Sequence, residues 1–114
     1  MTKKAAVIGV GNTTYTSAKR DTRERSELGA ACVASALDFV GKGLSIEDID
    51  AVFFASVDAF EGVQRPEASM DCFGQSYNVP TFSVHTGGTA GGSAFKEAYH
   101  AVSSGLFDIV IAYG

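Results

Sequence analysis

The sequence predicts an α/β fold in which a mainly parallel sheet carries helices on both faces. Continuously apolar runs are typical of strands buried on both faces, and segments with helical spacing separate them. Strands that alternate with helices run parallel and are joined by right-handed crossovers. The predicted order is β-α-β-α-β-α-β, within the single domain that 114 residues allow.

The first half of the chain predicts two strands and a long helix. Residues 5–11 form an apolar run, which indicates a first buried strand followed by a polar loop. The helix ends at two glycines, at 41 and 43. Ser45 and Asp48 have capping-box spacing, which predicts one helical turn before a second strand over residues 51–55. The apolar face of the long helix consists of Leu28, Cys32, Ala36, Phe39 and Val40.

The second half continues the alternation. Pro66 fits the first position of a helix. A third strand is predicted over residues 80–84, a third long helix over residues 89–104 with Gly105 as its stop, and a fourth strand over residues 108–113. The apolar residues of the helix after Pro66 are Ala68, Met70, Cys72 and Phe73.

Composition and charge exclude several classes of function. A formal net charge of −4 without a basic field excludes nucleic acid as the expected partner. The two cysteines, Cys32 and Cys72, have no metal-ligand spacing, so we expect no metal site and a reduced, cytoplasmic protein. No run is suited to a signal peptide or a membrane span. A basic cluster near the N-terminus indicates either a solvated loop or a phosphate contact: Lys3, Lys4, Lys19, Arg20, Arg23 and Arg25.

The glycine-rich turn after the third strand is the strongest candidate for a functional site. It reads Val84-His85-Thr86-Gly87-Gly88-Thr89-Ala90-Gly91-Gly92-Ser93 and leads into the third long helix. Backbone N–H groups at a helix start attract an anionic oxygen of a phosphate, a carboxylate or a reacting thioester. His85 fits an acid–base role or a structural hydrogen bond. Thr89 fits the N-cap, and Ser93 is expected to pack near the sheet.

Several better-known motifs are incomplete. Gly9 and Gly11 follow the first strand, but Thr14 replaces the third glycine of a dinucleotide fingerprint. The turn has no Walker lysine after Gly92, and its centre lacks the serine of a nucleophile elbow. His100 is expected at the surface. Three carboxylates near the end of the second strand give only a weak ligand signal: Asp58, Glu61 and Glu67.

The last residue, Gly114, directly follows an apolar strand. A buried parallel strand in that position leaves apolar surface and a strand edge exposed. We therefore expect another chain to complete the domain, as in a fragment or a split protein. The alternative is a small four-stranded domain with a central last strand.

Several segments together resemble the N-terminal part of a thiolase-superfamily protein. They are Val7-Ile8-Gly9-Val10-Gly11-Asn12-Thr13, Ile49-Asp50-Ala51-Val52, and the strand, turn and helix from Val84 to Val110. Phe60-Glu61-Gly62-Val63, Pro66-Glu67 and the glycine-rich turn are similar to the lipid-transfer, sterol-carrier-type branch. The likeness covers nearly all of residues 1–114, but these correspond to only about the first third of a thiolase. The resemblance therefore implies an incomplete thiolase-like domain.

The resemblance also implies which residues bind substrate. The thiolase pattern Cys-Ala-Ser-Gly falls on Gly88-Thr89-Ala90-Gly91, so the position of the nucleophile is Gly88. A glycine has no thiolate for covalent acyl transfer. The likeness implies a coenzyme A thioester as substrate without a covalently bound cofactor, and His85 as the catalytic candidate. The implied substrate-binding residues are Thr86, Gly87, Gly88, Thr89 and Gly91.

The implied function is an acyl-CoA-handling subunit that acts without a cysteine nucleophile, in carbon–carbon bond cleavage of the aldolase or thiolase type. Implied partners are a completing thiolase-like chain and a protein with a zinc ribbon and an oligonucleotide-fold barrel, in a homo- or hetero-oligomer. In this family the strand that corresponds to residues 80–84 lies at the two-fold axis of the homodimer. The resemblance therefore also implies a position of His85 at an interface. Two alternatives stay open: a non-catalytic lipid-carrier or structural subunit, and a cysteine-dependent acyltransferase that uses Cys72 or a partner's cysteine.

Overall fold

The computed structural model describes residues 3–14, 25–55 and 79–114. Predictions on the helix after Pro66, on Cys72 and on the carboxylates at 58, 61 and 67 lie outside these residues. The described elements are helix α1 (Arg25–Val40), a 3-10 turn (Ile46–Asp48), strand β1 (Ala51–Ala55), strand β2 (Thr81–Val84), a second 3-10 turn (Gly87–Thr89), helix α2 (Ala90–Ser103) and strand β3 (Val110–Tyr113).

The three described strands form one parallel sheet in the order β2-β1-β3. Phe53 of β1 is aligned with Phe82 of β2 and with Ala112 of β3. The central strand is buried along its whole length. An α/β architecture with a parallel sheet, as the alternation of apolar and helical segments predicts, is therefore confirmed.

The two faces of the sheet carry separate apolar clusters, because successive side chains of a strand point to opposite faces. Phe53 packs with the alanines of α2 on one face, and Val52 packs with Leu37 of α1 on the other. The α2 side of the sheet is therefore closed by small residues, which are Ala90, Ala94, Ala98 and Ala101. Helices on both faces were predicted, and the described residues place one on each.

Helix α2 ends as its sequence predicts. Gly105 has a φ of +84°, a left-handed conformation that favours glycine. Its N–H donates to the carbonyl of Val102, and the N–H of Leu106 donates to the carbonyl of Ala101. Around the first 3-10 turn the predicted capping box is also present, since the Ser45 N–H donates to the Asp48 carboxylate at 2.8 Å.

The prediction of a first strand over residues 5–11 is wrong for this structure. No strand is assigned anywhere in residues 3–14, and Val7, Ile8 and Val10 are 62%, 54% and 58% exposed. The physical reason is competition for the central strand: in the described sheet β2 and β3 take both edges of β1. The apolar segment lies along α1 instead, where Gly9 and Gly11 approach the helix backbone closely.

The predicted apolar face of α1 also needs a correction. Phe39 was expected in the core but is 67% exposed. Gly29 and Val33 are buried, and Leu37 packs with the cluster under the sheet. Residues four apart share a helix face, so these three define the sheet-facing side and leave Phe39 outside it. Cys32 and Ala36 are half-buried and face the segment over residues 5–11.

Asp50 fixes the entry of the chain into β3. Its carboxylate accepts hydrogen bonds from the N–H groups of Asp108 and Ile109, each at 3.0 Å. We expect Asp50→Ala to lower the free energy of unfolding by about 1–2 kcal/mol, because two backbone donors lose a charged acceptor. Chemical denaturation provides the measurement. Asp50→Asn keeps an acceptor oxygen and should cost less, so equal losses for both variants would contradict this role.

Candidate functional site

The glycine-rich turn lies where β2 ends and α2 begins. The chain leaves the sheet after Val84, forms the 3-10 turn over Gly87–Thr89 and enters α2 at Ala90. Gly87 has a φ of +66°, so a side chain there would be strained. Residues 85–89 are all exposed. The predicted strand–turn–helix unit is therefore confirmed, with its turn at the surface.

Three hydroxyl groups meet at this turn. Thr86 Oγ1 and Ser93 Oγ are 2.8 Å apart and share a hydrogen bond. Thr89 Oγ1 donates to the Thr86 carbonyl at 2.9 Å and lies 3.0 Å from Thr86 Oγ1. The sequence suggested Thr86 and Thr89 as binding residues but gave Ser93 only a packing role. Seven residues separate Thr86 from Ser93 in the sequence. Only the folded turn brings their hydroxyl groups together, so the sequence did not predict this contact.

The start of α2 has no side-chain cap. Thr89 occupies the N-cap position, as expected, but makes no capping hydrogen bond, because its hydroxyl is directed back to Thr86. Thr86, at the start of the preceding 3-10 turn, makes none either. The Ala90 N–H donates to the Gly87 carbonyl of the preceding turn, and no side chain neutralises the positive end of the helix dipole.

All four glycines at this turn border open space. A Cβ atom placed on Gly87, Gly88, Gly91 or Gly92 would meet nothing within 4 Å in the described part of the chain. These glycines are therefore not required by close packing. Their positions instead leave the backbone accessible from outside, which suits the approach of a ligand oxygen to N–H groups.

His85 stands at the carboxyl end of β2, next to the turn. Its Nε2 shares a short hydrogen bond with the hydroxyl of Ser83. Ser83 is aligned with Phe54, whose ring packs on Tyr113 on the α1 side of the sheet. The imidazole is therefore bonded on the face opposite α2, while the three hydroxyls belong to the start of α2. The sequence did not single out Ser83 as a site residue, although side chains two residues apart in a strand, such as Ser83 and His85, point to the same face.

The remaining candidate groups lie elsewhere. Cys32 is a half-buried free thiol on α1, and His100 is exposed on α2 as expected, with its ring edge-on to Tyr99. From the N-terminal basic cluster, Lys3 pairs with Asp108 at 3.7 Å. Over residues 3–14, 25–55 and 79–114, no three histidine, cysteine or carboxylate side chains are grouped so as to hold a metal ion. The described helices include none of the length and apolarity that a membrane span requires.

The chain matches no protein-family model, and no curated protein matches it significantly. The resemblance to thiolases therefore stays a prediction from the sequence, based on residues 7–13, 49–52, 60–63, 66–67 and 84–110. The geometry of the turn is independent of that likeness. It combines a helix start without a side-chain cap, four open glycine positions and a cluster of three hydroxyls.

Proposed function

We propose that this chain is an acyl-CoA-handling subunit of thiolase-like fold, which binds a thioester at the turn over residues 85–93 without a cysteine nucleophile. The observation that carries the proposal is the uncapped start of α2 beside the open position of Gly88. A thioester carbonyl oxygen that approaches this helix start is stabilised by N–H groups and by the helix dipole. The coenzyme A thioester is the substrate, and a second thiolase-like chain completes the domain.

Cleavage of a carbon–carbon bond is the reaction that suits such a site. In a 3-hydroxyacyl thioester, a base removes the proton of the 3-hydroxyl, the bond between C2 and C3 breaks, and a carbonyl product leaves. The electron pair passes to the thioester as an enolate, whose oxygen the helix start stabilises. Protonation of C2 then releases the shortened acyl-CoA. Thr86 and Thr89 hold the thioester at the start of α2, and its acyl chain extends past the carboxyl end of β2, so that the 3-hydroxyl reaches the imidazole of His85, the proposed base, on the opposite face.

A second candidate function is a lipid carrier or structural subunit without chemistry. Gly88 favours it, because the position that carries the nucleophile in thiolases has no side chain here. In this alternative the turn binds the thioester but no bond is broken. The two candidates share the binding site and differ in turnover.

The first experiment is native mass spectrometry of the chain purified from its own cells by an affinity tag. We expect a stoichiometric companion chain, and we expect the assembly to bind a 3-hydroxyacyl-CoA or 3-ketoacyl-CoA in a calorimetric titration. Turnover that is lost on His85→Ala or Thr89→Ala supports the lyase reaction. Binding without turnover supports the carrier, and a stable lone chain that binds no thioester contradicts the proposal.

A steric block tests the binding site separately. A Cβ atom at the exposed position of Gly88 meets nothing within 4 Å in the described chain, so Gly88→Leu should leave the unfolding midpoint unchanged. It should nevertheless weaken thioester binding by about tenfold or more, because the carbonyl loses its approach to the helix start. Glu97→Leu, on an exposed position of the same helix, is the matched control and should bind normally. Equal affinities of both variants would place the thioester elsewhere.

A further inference from the structure

Strand β2 and the residue that follows it carry a serine and a histidine joined by a hydrogen bond. Side chains two residues apart in a strand point to the same face, so Ser83 and His85 lie beside each other on the α1 side of the sheet. Nε2 of His85 shares this bond with Oγ of Ser83. A hydroxyl bonded to an imidazole is the arrangement that makes a serine nucleophilic, because the ring can take its proton during attack.

The pair lies at the carboxyl end of its strand, within reach of a ligand. His85 is exposed and Ser83 is half-buried. In open parallel sheets, ligands bind beyond the carboxyl ends of the strands. The three hydroxyl groups at the start of α2 bond to one another and to the Thr86 carbonyl, whereas Ser83 is bonded to an imidazole. Among these hydroxyls, the described contacts therefore give Ser83 a base.

The backbone at Ser83 supplies a donor for the oxygen of a reacting carbonyl. The Val52 N–H of β1 donates to the Pro80 carbonyl at 2.9 Å, and the backbone groups of successive residues point to alternate edges of a strand. The N–H of Ser83 therefore faces away from β1, on the side where the described sheet ends. In serine proteases the N–H of the nucleophilic serine is itself one of the donors to the oxyanion.

We propose that Ser83 is a nucleophile activated by His85, and that the pair takes up the acyl group of an ester or thioester. Phe54, the buried neighbour of Ser83 on β1, gives the acyl group an apolar wall. The inference shares His85 with the proposed lyase reaction but does not rest on it. Acylation of Ser83 needs neither a 3-hydroxyl group on the substrate nor binding at the start of α2.

The reaction has two halves, acylation and hydrolysis. Ser83 Oγ attacks the carbonyl carbon while its proton passes to Nε2 of His85, and the Ser83 N–H stabilises the oxyanion that forms. The bond from carbon to the leaving alcohol oxygen or thiol sulfur then breaks, and the leaving group takes the proton from His85. Water attacks the Ser83 ester in the same way and gives its proton to His85. That proton returns to Ser83 Oγ as the free acid leaves.

Labelling with an alkyl fluorophosphonate tests the nucleophile on the unaltered full chain. This probe phosphonylates an activated serine with loss of fluoride, and peptide mapping locates the label. We expect Ser83 to react about 100-fold faster than Ser104, an exposed hydroxyl that donates to the Ala101 carbonyl. His85→Gln should lower the rate at Ser83 to that of Ser104. Equal rates at both serines of the unaltered chain, or a rate at Ser83 that His85→Gln leaves unchanged, would overturn the proposal.

Hydrolysis of 4-nitrophenyl butyrate provides a second readout. Ser83→Ala should lower the rate by about 100-fold, because the hydroxyl that attacks the ester is lost. Thr81→Ala is the matched control, since Thr81 is half-buried on the same face of β2, and its rate should stay close to that of the unaltered chain. Full activity of Ser83→Ala would mean that Ser83 is not the nucleophile. The ester carries no 3-hydroxyl group, so failure here leaves the lyase proposal standing, and failure of the lyase assay leaves this inference standing.

Discussion

Replacing Phe53 with alanine is expected to lower the free energy of unfolding by about 3–5 kcal/mol, a large part of the stability of a small domain. Phe53 is 6% exposed at the centre of the sheet. Its ring stacks on Phe82 at a centroid distance of 4.9 Å and packs with the alanines of α2. Alanines cannot extend into the space that the ring vacates, so we expect the cavity to remain and the cost to lie at the upper end.

The matched control for this variant is Phe39→Ala. Both changes remove the same atoms, but Phe39 is 67% exposed and should cost less than about 0.5 kcal/mol. Urea denaturation followed by far-ultraviolet circular dichroism measures both. Similar losses in the two variants would mean that α1 packs differently from its described position.

Installing a cysteine at Gly88, the position that the proposed thiolase-like fold aligns with the nucleophile, should create a reactive thiol. Gly88→Cys should fold normally, because a Cβ atom at Gly88 meets nothing within 4 Å in the described chain. The thiolate is stabilised by the start of α2, so we expect its pKa to lie about one unit below that of an ordinary exposed cysteine. Iodoacetamide labelling across pH 6–9, with peptide mapping to separate the thiols, measures this difference.

Ser104→Cys, at the opposite end of the same helix, is the control. Ser104 is exposed at the C-cap of α2, where the helix dipole disfavours a thiolate. Relative to an ordinary exposed cysteine, the advantage in rate below both pKa values should be about threefold rather than tenfold, because a less basic thiolate is a weaker nucleophile; relative to Ser104→Cys it should be larger. Identical labelling profiles at both positions would argue against a functional electrostatic field at the turn. Acylation of Gly88→Cys by an acyl-CoA would additionally support the thioester site.

Local signals in the sequence predicted most of the described fold. The glycines after α1 and α2, the capping box at Ser45 and the apolar runs of β1 and β3 each depend on neighbouring residues only, and each prediction is confirmed. The strand over residues 5–11 failed because an apolar run reports burial and not which strand edge is available. The prediction that Phe39 is buried failed because helical spacing alone does not specify which of two overlapping helix faces meets the sheet.

The candidate site was predictable in position but not in its contacts. A strand, a glycine-rich turn and a helix in sequence identify the place where N–H groups are exposed. The bond from Thr89 back to Thr86 leaves the helix uncapped, and nothing in the order of residues distinguishes this from an ordinary N-cap. The bond between His85 and Ser83 is equally a result of which face each side chain takes.

The alanine face of α2 has a mechanical consequence. A helix that meets a sheet mainly through the methyl groups of alanines has few large side chains to interlock with it, so packing resists sliding along the helix axis only weakly. The axial position of α2 is then set at its ends, by the hydroxyl bonds of Thr86 and Ser93 at one end and by the bond from Lys3 to Ser103 at the other. The turn that carries the candidate site is thus also an anchor of the helix.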